Sequence, residues 1–298
     1  MRDILGPALV ISALFLPCSA AAQVEVKPLA RTNGVPILRL AASTRAAAMA
    51  GAYPIDGVDA DVVFYNPALG VGAGVTTSYQ RFGGESNLFS LATSAAGVMF
   101  GVRALDIALS PAAGELEGVA GYARTIKGLR LGVAAKWVRQ VSGGQSKGIG
   151  ALDAGVTASP IDWITLALAV QNIGGAFEIN STTYDLPRTF QLLATTDTKD
   201  LGPIDVMMTA HATSVRHEDL RGGIGVQASY WPFNGLKFYG RGGVRIGRST
   251  LPAGVLSNGR ESAGTAGAGI TYRRTTFDYA WVPISGAPDS HRFGIRLN

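Results

Sequence analysis

The chain has 298 residues with only 16% charged side chains, a formal net charge of +5, 39 glycines and a single cysteine. A charged fraction below the usual quarter excludes an ordinary water-covered globular domain. Lys and Arg scattered singly exclude a nucleic-acid-binding face.

Mean hydropathy is +0.21, yet no apolar run reaches the ~18 residues a spanning helix needs. A closed β-barrel is the other structure that satisfies its own backbone in lipid.

Residues 1–22 read as a cleaved secretory signal. Arg2 and the free amine precede the apolar run Ile4–Leu16, which is too short to span a membrane. Pro17 ends the run, and Ala20-Ala21-Ala22 offers a cleavage site before Gln23. The rival reading, lipid attachment at Cys18, requires a small residue where Pro17 stands. With cleavage after Ala22 no cysteine remains, which removes any disulfide framework or thiolate metal site. The three histidines, His211, His217 and His291, lack metal-ligand spacing. Neither a metal nor a cofactor is expected.

Residues 23–33 form a flexible lead-in. Gly34–Leu69 is the one long later stretch that does not alternate. Ser43 before Thr44-Arg45 and an Ala run, with Gly51 at the stop, predicts a short capped helix. Asp56, Asp59 and Asp61 follow in a turn-rich segment. Tyr65-Asn66-Pro67-Ala68 closes it, because Pro67 forces Asn66 to be extended and has no N–H for a ladder. We read 34–69 as a plug inside a barrel built by residues 70–298.

From residue 74 onward, period-two alternation recurs in segments of about ten residues, the length and pattern of membrane-spanning strands. In 129–139, Leu129, Leu131, Val133 and Trp137 share one face, opposite Arg130, Gly132, Ala134 and Lys136. The same parity holds in 162–172, 219–230 and 236–246. Small residues on the polar face suit a lumen that must hold a plug. A soluble β-sandwich also alternates, but its strands are shorter and it needs more charge on its outer surface. About fourteen strands are expected. The longest connections, 174–187 and 248–262, both follow odd strands, and connections after even strands are mostly tight. Trp137, Trp163, Trp231 and Trp281 lie near strand ends, although parity points Trp163 and Trp231 inward.

These landmarks resemble the PorV/PorQ family of outer-membrane proteins, related to the fourteen-stranded long-chain fatty-acid transporter fold. The resemblance rests on Ile37-Leu38-Arg39-Leu40, Thr44–Ala52, Asp59-Ala60-Asp61 and Tyr65-Asn66-Pro67-Ala68. It extends to Val170–Gly174, Leu186-Pro187-Arg188, Phe277–Pro283 and Ser290-His291-Arg292-Phe293. The chain departs from such barrels at its end, where Leu297-Asn298 replaces a terminal aromatic.

The resemblance implies a bacterial outer-membrane barrel in contact with membrane lipid. It further implies a non-enzymatic component of type IX secretion or surface attachment, with secretion proteins and cargo C-terminal signal domains as partners. Loop residues Phe177, Tyr184 and Leu256 would then be partner-binding positions. The alternative is a fatty-acid-transporter-like channel for hydrophobic small molecules. In either case Arg45, Asp59, Asp61, Asn66, Pro67 and Asp278 are expected to anchor the plug or touch a ligand. A mobile hatch needs weak internal contacts, so Asp59 and Asp61 facing lumenal Arg130, Arg221, Arg241 or Arg245 would instead point to a fixed plug. An enzyme is not expected: His211 has lumenal parity, but no motif joins it to a nucleophile.

Overall fold

The computed structural model describes residues 32–56, 59–70, 72–83, 86–107, 113–247, 255 and 260–298. The signal segment, its cleavage site and most of the lead-in lie outside them.

Fourteen antiparallel strands close into a barrel. They are β1 Gly74–Phe82, β2 Ser86–Ala95, β3 Val98–Ile107, β4 Gly114–Ile126, β5 Leu129–Ser142, β6 Gln145–Ile161 and β7 Ile164–Ile173. Next come β8 Thr189–Thr196, β9 Ile204–Val215, β10 Arg221–Phe233, β11 Leu236–Ile246, β12 Gly264–Tyr272, β13 Thr275–Val282 and β14 Ser290–Leu297. Each strand pairs with its neighbours in sequence, and β1 pairs with β14, from Val75↔Leu297 to Arg81↔His291, so no edge is left open.

Burial follows the expected parity. Phe89, Leu91, Phe100, Val133, Leu168, Phe190, Val244 and Phe277 face outward and exposed, while the alternate positions are buried. That outer surface suits hydrocarbon. The long connections after β7 and β11 share one end of the barrel. The other end has two-residue turns such as 127–128 and 234–235. Trp137 and Trp281 face outward. Trp163 sits in the turn beyond a register shift in β6 and is half exposed, away from the inward position its parity implied. Trp231 keeps its inward parity at the short-turn mouth: its indole N–H donates to Asp205 at 3.0 Å, and Lys237 lies 4.2 Å above its ring.

The described residues of 33–70 fill the lumen. Thr32-Asn33 is held, in contrast to the expected flexible lead-in. It pairs in parallel with Tyr184-Asp185 in the connection after β7. The segment therefore begins at the long-loop end and runs the length of the barrel to Gly74 at the short-turn end. Helix α1 spans Thr44–Ala48, and Ser43 Oγ accepts from the Ala46 N–H at 3.3 Å, as the capping pattern predicts. The left-handed stop takes two residues, Ala50 (φ 56°) as well as Gly51 (φ 88°). Ala50 is held there by its N–H donating to Thr265 Oγ1 at 2.9 Å.

A buried segment with little regular structure must find partners for its backbone. The inner face supplies them. Thr209 Oγ1 donates to the Tyr53 carbonyl at 3.2 Å, Thr195 Oγ1 accepts from Ile55 N–H at 3.1 Å, and Gln171 Nε2 donates to the Phe64 carbonyl at 2.8 Å.

Inward glycines let the two backbones meet. A β-carbon on Gly132 would lie 2.3 Å from the backbone of Pro67 and Ala68, and one on Gly243 would lie 2.4 Å from Met49. Gly118 faces outward with nothing within 4 Å of a built β-carbon. Gly132→Ala should therefore destabilise the barrel by about 1–3 kcal/mol through overpacking. Gly118→Ala should be nearly silent. Thermal unfolding of the two variants in detergent checks the contrast.

Candidate functional site

The lumen is crossed by a closed circuit of six side chains. Arg45, on α1, donates from Nη1 to Asp59 Oδ2 at 3.1 Å and from Nε to Gln227 Oε1 at 3.0 Å. Gln227 Oε1 also accepts from Arg241 Nε at 2.7 Å. Arg241 Nη1 reaches Asp278 Oδ1 at 2.5 Å, and Asp278 Oδ2 accepts from Arg296 Nε at 2.7 Å. Arg296 returns to Asp59 and completes the circuit, and Asp56 pairs with Arg45 from its flank. Apart from exposed Asp56, these groups are almost wholly removed from water, where an unpaired charge would be costly. Asp59 and Asp278 therefore tie plug to wall through three arginines.

Two further clusters grip the plug. Arg103 bonds Glu117 (Nε to Oε2 2.6 Å) and donates to the Leu40 carbonyl at 2.9 Å. Lys136 sits between Glu117 (3.4 Å) and Asp153 (2.8 Å). Arg292 has no carboxylate among its hydrogen-bond partners. It donates to the Ala41 carbonyl at 2.6 Å, to the Ala42 carbonyl, to Gln80 at 2.9 Å and to Ser78 at 2.6 Å. Opposite it, Tyr65 Oη accepts from the Ala42 and Ser43 N–H groups at 2.7 and 2.9 Å.

The plug residues singled out in the sequence lie buried in the lumen. Asp59 pairs with Arg45 and Arg296, and Asp61 accepts from Tyr53 Oη at 3.0 Å. Neither forms an ion pair with Arg130, Arg221, Arg241 or Arg245 among the described contacts; Arg221 binds Glu218, Arg241 binds Asp278 and Arg245 binds Glu261. Asn66 caps its turn, accepting from Ala68 N–H at 2.9 Å, and its amide donates to the Leu168 carbonyl at 3.0 Å. Pro67 opens the short 3₁₀ turn that follows and packs over Gly132.

Of the loop residues, Phe177 is turned inward and Tyr184 is partly covered. Phe177 is buried against Gly34 and stacks on Tyr184 with ring centroids 5.7 Å apart, because this hairpin receives the incoming plug. Leu256 lies outside the described residues. Sequence reasoning did not single out Arg103, Glu117 and Arg296, and gave Arg292 no role beyond its place in the Ser290–Phe293 landmark. Their visible signal was charge at inward parity within otherwise apolar strands.

Two cavities flank the plug. One, of about 160 Å³, lies toward the long-loop end between α1, Phe64 and the inner faces of β8 and β9, where His211 points inward as expected. Its rim carries paired charges: Arg39 and Arg221 bind Glu218 at 2.7 and 3.0 Å, and Arg245 binds Glu261 at 3.4 Å. The other, of about 250 Å³, opens at the short-turn end beside Arg45, Lys237 and Arg296.

No family model and no curated protein matches this sequence. Among solved structures the chain is similar to a Pseudomonas aeruginosa FadL homologue, at 12% identity over 90% of this chain and 98% of that one, with a TM-score of 0.51. It is also similar to the CymD monoaromatic hydrocarbon channel, at 9% identity over 86% and 96%, with a TM-score of 0.50. At these identities the likeness establishes a shared barrel fold.

Removing Asp278 leaves Arg241 buried without a carboxylate. Asp278→Leu should cost on the order of 3–5 kcal/mol, and adding Arg241→Met should restore much of it, because Arg296 keeps Asp59 and no charge is left without a partner. Denaturant unfolding of the single and double variants measures the difference.

Proposed function

We propose that the chain is a non-enzymatic channel of the bacterial outer membrane for small hydrophobic molecules, with residues 33–70 as its gate. The observation that carries this reading is the cavity of about 160 Å³ between plug and wall on the long-loop side. In size the space matches the ~150 Å³ cavity that holds benzene in an engineered lysozyme, and here the apolar side chains of Leu40, Phe64, Phe82 and Val282 share the lining with Gln80, Gln171, Gln191 and Thr213. The fold shared with a monoaromatic hydrocarbon channel supports the same reading. Onward passage requires α1 to leave its seat. That seat is built from glycines such as Gly225, Gly243 and Gly267, which offer no side chains to interlock with the plug.

A second reading, docking of type IX secretion cargo, draws on the PorV/PorQ resemblance and on the density of plug anchors. A docking barrel needs no moving plug. Against it, Arg45, Asp59, Asn66 and Asp278, which carry the resemblance, are all engaged in anchoring. Capture of a cargo C-terminal signal domain by the purified barrel would favour it.

The channel reading is tested by uptake of radiolabelled toluene into cells that lack their own hydrophobic-compound channels. Expression should raise uptake several-fold. A Thr44→Cys/Gly294→Cys pair, whose β-carbons would lie 3.1 Å apart, should abolish the rise when oxidised and restore it on reduction. Uptake no higher than in cells without the protein would remove the reading.

A further inference from the structure

Among the residues lining the long-loop cavity, Gln191, His211 and, at the rim, Arg39 each carry a buried polar atom that the fold leaves without a partner. Gln191 Oε1 and His211 Nδ1 are both buried, and neither has a hydrogen-bond partner. Gln191 itself is more than nine-tenths buried, at 8% exposure. Both residues line the cavity. Because Gln191 pairs with Thr213 and Leu193 with His211 across β8 and β9, the two side chains are diagonal neighbours on the inner face. Such neighbours stand about 7–8 Å apart, so one small group between two long side chains reaches both. The imidazole has room to lie flat because Gly223 is beneath it; a β-carbon there would come within 2.8 Å of Cε1.

A buried acceptor without a donor costs free energy, so these atoms call for a hydrogen-bonding group on whatever fills the space. Leu40, Ala47, Phe64, Phe82, Val215 and Val282 give the cavity a buried apolar side, while Gln80, Gln171, Thr189 and Thr213 also line it. Each rim arginine already binds a carboxylate, Arg39 and Arg221 sharing Glu218 and Arg245 holding Glu261, and Gln191 Oε1 needs a donor, which an anionic carboxylate lacks. The cavity thus asks for a neutral body about one ring in size, with a single hydroxyl.

We propose that this cavity binds a single-ring phenol, its ring against the apolar wall and its hydroxyl shared between Gln191 Oε1 and His211 Nδ1. The hydroxyl donates to the amide oxygen and accepts from the imidazole in its Nδ1–H tautomer. The assignment rests on the channel reading for the route by which the molecule arrives, and narrows its substrate class from hydrocarbons to their hydroxylated relatives.

The test is titration of the mature protein in amphipol with phenol, toluene and benzoate, followed by saturation-transfer NMR. One neutral hydrogen bond to an otherwise unpaired group is worth about tenfold in affinity. Phenol should therefore bind about tenfold more tightly than toluene, and benzoate more weakly than phenol. Gln191→Leu and His211→Leu should each bring phenol toward the toluene value and leave toluene binding in place, which shows that the cavity survives the change. Equal affinities of phenol and toluene for the unmodified protein, or unchanged phenol binding in both variants, overturn the assignment. Toluene uptake by cells reports separately on the channel. Uptake without a phenol preference sinks only this assignment, and phenol binding without uptake sinks the channel and keeps the site.

Discussion

A buried charge must be paired, and that requirement organises the lumen. Thirty-odd residues of largely irregular chain lie inside a closed sheet, where neither bulk water nor a regular ladder can satisfy them. Arg45 and Asp59 on the plug, with Gln227, Arg241, Asp278 and Arg296 on the wall, solve this together, since every member satisfies two others. Removing one leaves its neighbours stranded, so the circuit behaves as a unit and not as a sum of bonds. Inner-face hydroxyls do the same for the plug backbone, and glycines clear the space that lets those hydroxyls reach it.

The barrel was largely legible in the sequence because the side-chain period of a strand is two and one face meets lipid. All fourteen segments appear where alternation places them, from Gly74–Phe82 to Ser290–Leu297. The capping at Ser43 and the Asn66-Pro67 turn were legible too, since both are local. What alternation cannot carry is which lumenal cation meets which carboxylate. Asp59 finds Arg296, 237 positions away, and that pairing depends on how the closed tube staggers its strands. Nor does the pattern show that Phe177 turns inward to receive Gly34, because the partner strand there, Thr32-Asn33, is only two residues long and comes from the far end of the chain.

The residues that carry the family resemblance are mostly anchors. Arg45, Asp59, Asn66, Asp278 and Arg292 each bond across the interface between plug and wall. Any barrel stoppered in this way needs such contacts whatever it transports or receives. The motif therefore speaks to architecture, and the chemistry of a ligand has to be read from the cavities, where Gln191 and His211 belong to no motif.

The threading of Thr32-Asn33 at one mouth and Gly74 at the other has a consequence for biogenesis. A strand of chain that enters a tube at one rim and becomes the tube's own first stave at the opposite rim cannot be slipped in after the seam has closed. The wall has to be wrapped about the stopper, with the last stave, Ser290–Leu297, zipping against Gly74–Phe82 only when the filling is already seated. The contacts of Arg292 with Ala41 and of Arg296 with Asp59 join the two extremes of the polypeptide. Closure is thereby a late event that waits on long-range encounter, and the partly wrapped barrel must be sheltered until that encounter is made.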